Sequence, residues 1–315
     1  MSISRERYAL TVDIGGTKTA FGIMDVHGTF IYLEKSPTPI HESNNIREFL
    51  ISQIHTILGK HKKLAIEGIG IGAGGVVDPE SGAIIHATPL LPDWQGTPIK
   101  KIIEEEFGVR AAVDNDGNMA ALGEYLYGSG KGTHNLVFIA IGTGVGGGAV
   151  INGRVLKGGS GSAMNIGHIC IERNGRQCNC GKRGCLEAYV SGKAIEKAYQ
   201  ERIEKIPGKN ASHPLTPREI FESTAKGDSI AKGVIETALD YLSIGITNII
   251  ELFDPDLIVL GGGVSESLGF MLDDLRSRVS SSTGLFIPER ILISTLGEKT
   301  CLYGAGGAIL MGVRL

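Results

Sequence analysis

Residues 8–35 read YALTVDIGGTKTAFGIMDVHGTFIYLEK, and residues 136–157 read LVFIAIGTGVGGGAVINGRVLK. The two stretches follow one plan. In the first, Tyr8–Ile14 is apolar and β-rich, a glycine turn follows, then Thr17–Met24, a turn at His27-Gly28, and Thr29–Glu34. In the second, a strand ends at Ile141, a glycine turn follows, and another strand ends at Ile151. Asn152-Gly153 then supplies a strong hairpin signal, because both residues tolerate positive φ. Strand, glycine loop, strand, tight turn, strand thus occurs twice, and two copies of one unit predict two similar domains.

Outward from the repeats, Ile46–Leu58 and Ile99–Phe107 read as helices, and Gly68–Gly72 and Val109–Val113 as strands. Mixed strands and helices predict an α/β protein. After Leu186 the chain reads as mostly helical. Thr216-Pro217-Arg218-Glu219 has the form of a capping box with proline at the first helical position. Asp256–Leu260 reads as a buried strand running into Gly261-Gly262-Gly263, and Gly304–Gly312 as a small-residue helix.

Composition narrows the class. At 315 residues the chain has room for two ordinary domains, and 42% hydrophobic residues allow a sizeable core. A net charge of −3, with no basic tail or stripe, gives no footprint for nucleic acid. The N-terminus has no apolar signal core. The longest uncharged run, Leu136–Ile151, is broken by glycines and shorter than the roughly 20 residues of a membrane helix. A cytoplasmic protein with no membrane partner is expected. The 46 glycines cluster in loops, which points to close backbone approach to a ligand.

The run GHICIERNGRQCNCGKRGCLEA places His168, Cys178, Cys180 and Cys185 within eighteen residues. Four N or S donors suit tetrahedral zinc, and Gly181 and Gly184 let the loop fold around an ion. Four protein ligands leave no open position, so the metal would be structural. A metal-free thiol cluster is the competing reading. A disulfide is disfavoured because nothing marks the chain as secreted.

Two further elements carry chemistry. Gly15-Gly16-Thr17 and Gly142-Thr143-Gly144 each follow a strand, and backbone N–H groups in such turns can cradle phosphate oxygens. No GxxxxGK[ST] pattern exists, so this is not a P-loop. In Val113-Asp114-Asn115-Asp116-Gly117-Asn118, followed by the helical run Met119–Tyr127, Asp116 falls where a helix N-cap belongs. It reads either as a cap or as a carboxylate able to take a proton from an attacking hydroxyl.

Taken together, Asp13-Ile14-Gly15-Gly16-Thr17-Lys18, Asp114-Asn115-Asp116, Gly142–Gly148, the Cys/His run and Leu260-Gly261-Gly262-Gly263-Val264 resemble the ROK family nearly end to end. That family comprises repressors, open reading frames and sugar kinases. The resemblance implies a two-domain actin-like ATPase (ribonuclease H-like) α/β fold with an interdomain cleft. The expected domains are 1–118 plus 303–315, and 119–302 with the zinc loop. It implies ATP-dependent phosphorylation of a hexose or hexose-derivative hydroxyl, usually at C6. Asp116 would be the base and Asp13 would join the Mg²⁺ shell. Gly15, Gly16, Thr17, Lys18, Gly142, Thr143 and Gly144 would hold the ATP phosphates, and Gly261, Gly262 and Gly263 the adenosine side. Gly75, Asn115, Asp116, Asn165, His168 and Glu187 would line the sugar site, with a solvated helix-start carboxylate as the competing reading of Glu187. A homodimer or dimer of dimers is expected.

The sequence departs from the family pattern at three places. Asn165-Ile166-Gly167-His168 stands for Glu-x-Gly-His, Leu90-Leu91-Pro92-Asp93-Trp94 for a stretch like Asn-Leu-Pro-Gly-Trp, and Gly117 for Ala. The first two fall on sugar contacts, where a lost charged hydrogen bond costs about 1.5–3 kcal/mol. An amino, deoxy or other non-glucose sugar is therefore an alternative substrate, and a non-catalytic sugar sensor an alternative function. A repressor is disfavoured, since only about seven residues precede the first strand.

Overall fold

A computed structural model describes residues 6–39, 46–87, 91, 94–206, 214–283 and 287–313. The chain begins β1 (Arg7–Ile14), β2 (Lys18–Asp25), β3 (Phe30–Pro37), α1 (Ile46–Lys60), β4 (Ala65–Ala73), a short pair β5 (Val76–Val77) and β6 (Ile84–His86), α2 (Ile99–Phe107), β7 (Arg110–Asn115) and α3 (Asp116–Tyr127). It continues β8 (Asn135–Ile141), β9 (Val145–Ile151), β10 (Arg154–Val155), α4 (Glu187–Val190), α5 (Gly192–Ile203), α6 (Pro217–Ala225), α7 (Ser229–Phe253), β11 (Leu257–Gly261), α8 (Gly263–Leu268), α9 (Leu272–Ser280), β12 (Ile291–Ile293) and α10 (Thr300–Leu310).

Two five-stranded sheets form, in the orders β3-β2-β1-β4-β7 and β10-β9-β8-β11-β12. The two orders match strand for strand, as the repeat predicts. In the first sheet β1 pairs antiparallel with β2, while β4 runs parallel to both β1 and β7. In the second, β11 runs parallel to both β8 and β12. Asn152 and Gly153 both take positive φ, 50° and 75°, as the Asn-Gly turn requires. By contact density the chain divides into two compact units. The first draws its described residues from Met1–His134, Gly148–Met164 and Glu298–Leu315, the second from Asn135–Gly147 and Asn165–Gly297. The division falls inside β9.

In the first unit, alternation along β4 separates two faces. Ile69 and Ile71 are fully buried in a core with Leu10, Val12, Ile14, Leu50, Ile54 and Trp94. Each such burial is worth about 1.5–3 kcal/mol. The opposite face carries Gly68, Gly70 and Gly72, and α10 lies on it. A Cβ on Gly72 would meet Cys301 Sγ at 2.2 Å, one on Gly70 the Ala305 carbonyl at 2.0 Å, and one on Gly68 would touch Ile309 at 3.0 Å. Every second strand residue thus faces every fourth helix residue, since two strand steps and four helix steps are both about 6–7 Å. The helix can lie this close only because the strand has no side chains there. α10 also crosses α3 at glycine: a Cβ on Gly304 would stand 1.7 Å from the Met119 carbonyl. Its helix runs Thr300–Leu310, starting four residues earlier than the small-residue pattern suggests.

In the second unit, Thr216 and Glu219 form the predicted capping box, with Pro217 at the first turn. The 25-residue α7 buries a stripe that includes Val234, Ile235, Leu239, Leu242 and Ile246. Among the described residues no helix is long and apolar enough to cross a membrane.

Candidate active site and metal centre

The first unit gathers two carboxylates and a thiol. Asp13 is the penultimate residue of β1, on the face that α10 covers, and its register partner on β4 is Gly72. Because Gly72 leaves space, the Cys301 thiol fits there and hydrogen-bonds Asp13. Burial and the nearby Asp116 charge push the Asp13 carboxyl up to about 7, against the thiol bond and the Lys35 charge, which pull it down. Burial, then the Asp13 and Asp116 charges, hold the Cys301 thiol well above its usual value.

Asp116 begins α3, but it is not the cap. Asn115 is the N-cap residue, and its Oδ1 accepts the Gly117 N–H at 2.8 Å. Asp116 Oδ1 also lies 2.8 Å from that N–H. The capping role therefore has another holder, and Asp116 presents an exposed carboxylate. Dense protein on its other sides still raises its pKa by desolvation. A carboxylate that solvent can reach, with its affinity for protons raised, suits proton acceptance. Asn115 Nδ2 donates to the Gly75 carbonyl at 2.8 Å, joining two of the expected sugar-site residues. Gly75 takes φ 108°, and a Cβ there would stand 2.4 Å from the His86 carbonyl, so glycine is required.

Asp114 holds this junction in place. Its Oδ1 accepts from the Asn115 N–H at 2.7 Å and from Asn118 Nδ2 at 3.0 Å. Lys157 Nζ stands 3.1 Å from its Oδ2, an ion-pair contact in which both side chains are nearly buried. The first glycine loop is tied down at its ends. Gly15 N–H donates to the Lys18 carbonyl at 3.1 Å, and Thr38 binds the Gly15 carbonyl through its hydroxyl and the Thr17 carbonyl through its N–H. Gly16, Thr17 and Lys18 remain accessible between these ties.

The second unit builds its own cluster. The ligand atoms of His168, Cys178, Cys180 and Cys185 all lie within 4.8 Å of one another. Cys178 Sγ is 3.6 Å from His168 Nδ1, and Cys180 Sγ is 3.6 Å from Cys185 Sγ. Gly184, with φ 75°, makes the loop possible, since a Cβ there would stand 1.7 Å from the Glu172 carbonyl. Burial and the neighbouring thiols push Cys185 up to about 12. Cys180 is lowered despite desolvation, by the Lys182 backbone N–H, by hydrogen bonds from the other two thiols and by the Lys182 charge.

Glu187 follows two residues after Cys185 and is not a solvated helix-start carboxylate. It is half-buried, its Oε2 accepts the Val145 N–H at 2.9 Å, and its Oε1 lies 3.9 Å from Cys178 Sγ. A Cβ on Gly144 would stand 2.7 Å from the same Oε2, so any larger residue there would push the Glu187 carboxylate from its present position. The Gly142 N–H donates to Gly144, and the Gly142 carbonyl accepts from Gly192. Gly262 takes φ 87° at the β11–α8 turn, where a Cβ would meet the Ile141 carbonyl at 2.5 Å. Cβ atoms on Gly142 or Gly263 would meet no described atom within 4 Å. Asn165 is exposed and starts the turn Ile166–His168 without a side-chain cap bond. Leu90 lies outside the described residues.

Three residues escaped the sequence reading. Cys301 lies far from the Asp13 motif in sequence, and only the glycine stripe on β4 hints at what covers it. Lys157 closes the second repeat, with no local sign that its partner is Asp114. Cys170 sits inside the Cys/His run but outside the four-ligand spacing.

The fold and these two sites define a class: an α/β protein of the actin-like ATPase fold. The ROK family profile matches residues 9–310, and the chain belongs to that family. A glucokinase of Halalkalibacterium halodurans is 33% identical over 316 residues, covering 96% of this chain and 94% of that protein. The structure of a ROK hexokinase from Thermus thermophilus superposes with a TM-score of 0.83 at 30% identity, covering 97% of this chain and 98% of the other. That of a ROK family glucokinase from Streptomyces griseus, in complex with glucose and AMPPNP, gives 0.80 at 31%, covering 97% and 100%.

Proposed function

We propose that Asp116 is the general base of an ATP-dependent hexose kinase acting at the C6 hydroxyl. The protein is an ATP-dependent sugar kinase, as its relatives named glucokinase and hexokinase indicate. The observation that carries the assignment is that Asn115, not Asp116, is the N-cap residue, which leaves Asp116 as an exposed carboxylate with raised proton affinity beside Asp13. In the reaction the sugar hydroxyl oxygen attacks the γ-phosphorus of ATP, its proton passes to Asp116, and ADP leaves. Asn115, tethered to Gly75, and Glu187, tethered to Val145, would orient the sugar hydroxyls together with His168 and Asn165. Backbone N–H groups of Gly15–Lys18 and Gly142–Gly144 would receive the phosphates, and the open space at Gly142 and Gly263 suits a nucleotide.

Asp13 would hold Mg²⁺. A carboxyl raised to about 7 by burial and a second carboxylate is one that a cation would return to its charged form. The ion, when bound, supplies positive charge to the phosphate oxygens. The Cys/His cluster fits zinc: tetrahedral bonds of about 2.3 Å put sulfurs roughly 3.8 Å apart, close to the 3.6 Å here. Zinc, when bound, would staple the loop that carries Glu187. Assembly as a homodimer or dimer of dimers belongs to the same proposal.

Relatives named glucokinase favour plain hexose over a retuned amino or deoxy sugar. Coupled ADP release with ATP, Mg²⁺ and a panel of glucose, mannose, fructose, allose and their amino derivatives tests the reading. Sugar-dependent ADP release led by a plain hexose is expected. Failure of every sugar in the panel to produce ADP would return the chain to a sensor. A clear preference for an amino sugar, abolished by Asn165→Glu, would establish retuning instead.

A further inference from the structure

Cys170 stands directly across from Cys185 in an antiparallel bridge. The flanking hydrogen bonds run from Ile171 N–H to the Gly184 carbonyl, 2.8 Å, and from Leu186 N–H to the Ile169 carbonyl, 3.1 Å. That pattern makes Cys170 and Cys185 a non-hydrogen-bonded pair, in which facing side chains share one side of the ladder and Cα atoms stand about 4.5 Å apart. Disulfides span Cα separations of about 4.4–6.8 Å. The backbone is therefore already set for a crosslink. Cys170 is exposed, Cys185 is fully buried, and the Cys170 thiol donates a weak hydrogen bond to the Arg183 carbonyl at 3.8 Å. The Cys170 sulfur must turn from its contact with the Arg183 carbonyl to reach Cys185.

We infer that Cys170 is an oxidation site whose disulfide with Cys185 removes one donor from the Cys/His metal centre. The inference rests on the zinc reading of that centre. The oxidant is a peroxide. The Cys170 sulfur attacks a peroxide oxygen, the O–O bond breaks, and the thiol becomes a sulfenic acid while water leaves. The Cys185 sulfur, a thiolate while it serves as a donor, then attacks the sulfenic sulfur; the S–O bond breaks, the S–S bond forms, and the departing hydroxide takes a proton from solvent and leaves as a second water. The two sulfurs lose two electrons and the peroxide gains them. His168, Cys178 and Cys180 remain, too few for a closed tetrahedral site. Cys185 is two residues from Glu187, so the sugar-site carboxylate loosens with the loop. An exposed thiol thereby reads peroxide and a buried ligand transmits the result.

The test uses the purified full chain. Its zinc content is measured first, then hydrogen peroxide is added in small molar excess. Zinc release is followed with a chromogenic chelator, and disulfides are mapped by mass spectrometry of unreduced peptides. The wild type should release its zinc and yield a Cys170–Cys185 crosslink, and thiol reductant with added zinc should reverse both. Cys170→Ser and Cys170→Ala, which leave the four donors intact, should retain zinc through the same exposure. Equal release by wild type and both variants overturns the inference. So does a disulfide drawn only from Cys178, Cys180 and Cys185, or the absence of any crosslink. A preparation holding no zinc before oxidation refutes the zinc reading and the release step with it, while the peptide map still decides the Cys170–Cys185 bond.

Discussion

The two repeats share a fold and divide the chemistry. At the penultimate position of its first strand, one repeat carries Asp13 and the other Ala140. The first repeat's sheet is backed by α10 through the glycines of β4, and this brings Cys301 against Asp13 and close to Asp116. The second repeat has no carboxylate there. Its chain instead runs into the Cys/His loop, which fixes Glu187 against Val145 at the start of β9. One copy therefore holds acids with raised proton affinity, and the other holds a cluster of four potential metal donors. A repeated backbone plan gives glycine loops twice, but the pair of carboxylates Asp13 and Asp116 sits in one copy.

This division breaks if the acids prove dispensable. Asp116→Asn should lower kcat at least about a hundredfold, the lower range for loss of a general base. Affinity for a non-hydrolysable ATP analogue, read by calorimetry, should stay close to wild type because the glycine loops are untouched. Near-normal turnover would make Asp116 a structural residue and erase the difference between the copies.

The second copy should respond differently. Cys180→Ser should lose about one zinc per chain and cut sugar affinity or turnover by roughly ten- to a hundredfold, the range for groups that support a site from behind. Protease sensitivity should rise around residues 168–187. Full metal content and activity in that variant would contradict the scaffold role.

A smaller effect separates Asp13 from its surroundings. In the metal-free protein its carboxyl titrates near 7, against 3.8 without the surroundings. Between those values the folded state binds more protons than the unfolded state, so this group's contribution to stability falls as pH rises. Asp13→Asn removes the titration. Its thermal stability relative to wild type should grow from pH 4 to about 7 and then level off, by a few kcal/mol at most. Mg²⁺ should narrow the gap above pH 7 by stabilising only the wild type. A difference that stays flat with pH would remove the raised proton affinity assigned to Asp13.

Much of this was legible before the structure. Local chemistry wrote the repeats plainly: the alternating apolar runs, the Asn152-Gly153 turn, the Thr216 capping box and the four-donor spacing each act within a few residues. The Gly68-x-Gly-x-Gly72 stripe was visible too, but not its meaning, since its partner Cys301-x3-Ala305-x3-Ile309 lies over 200 residues away. The cap was misplaced by one residue because Asn115 and Asp116 are both good caps, and only the backbone of β7 decides between them. Lys157 and Cys170 depend on tertiary pairing, which no local pattern carries.

Phosphorus NMR of the wild-type protein with ATP, Mg²⁺ and glucose tests the central assignment most directly. The γ-phosphate signal should fall while a phosphomonoester signal coupled to the C6 protons rises in equal amount, and 6-deoxyglucose should stop both. A γ-phosphate that appears only as inorganic phosphate, or that never declines with any hexose, would contradict a kinase built on Asp116.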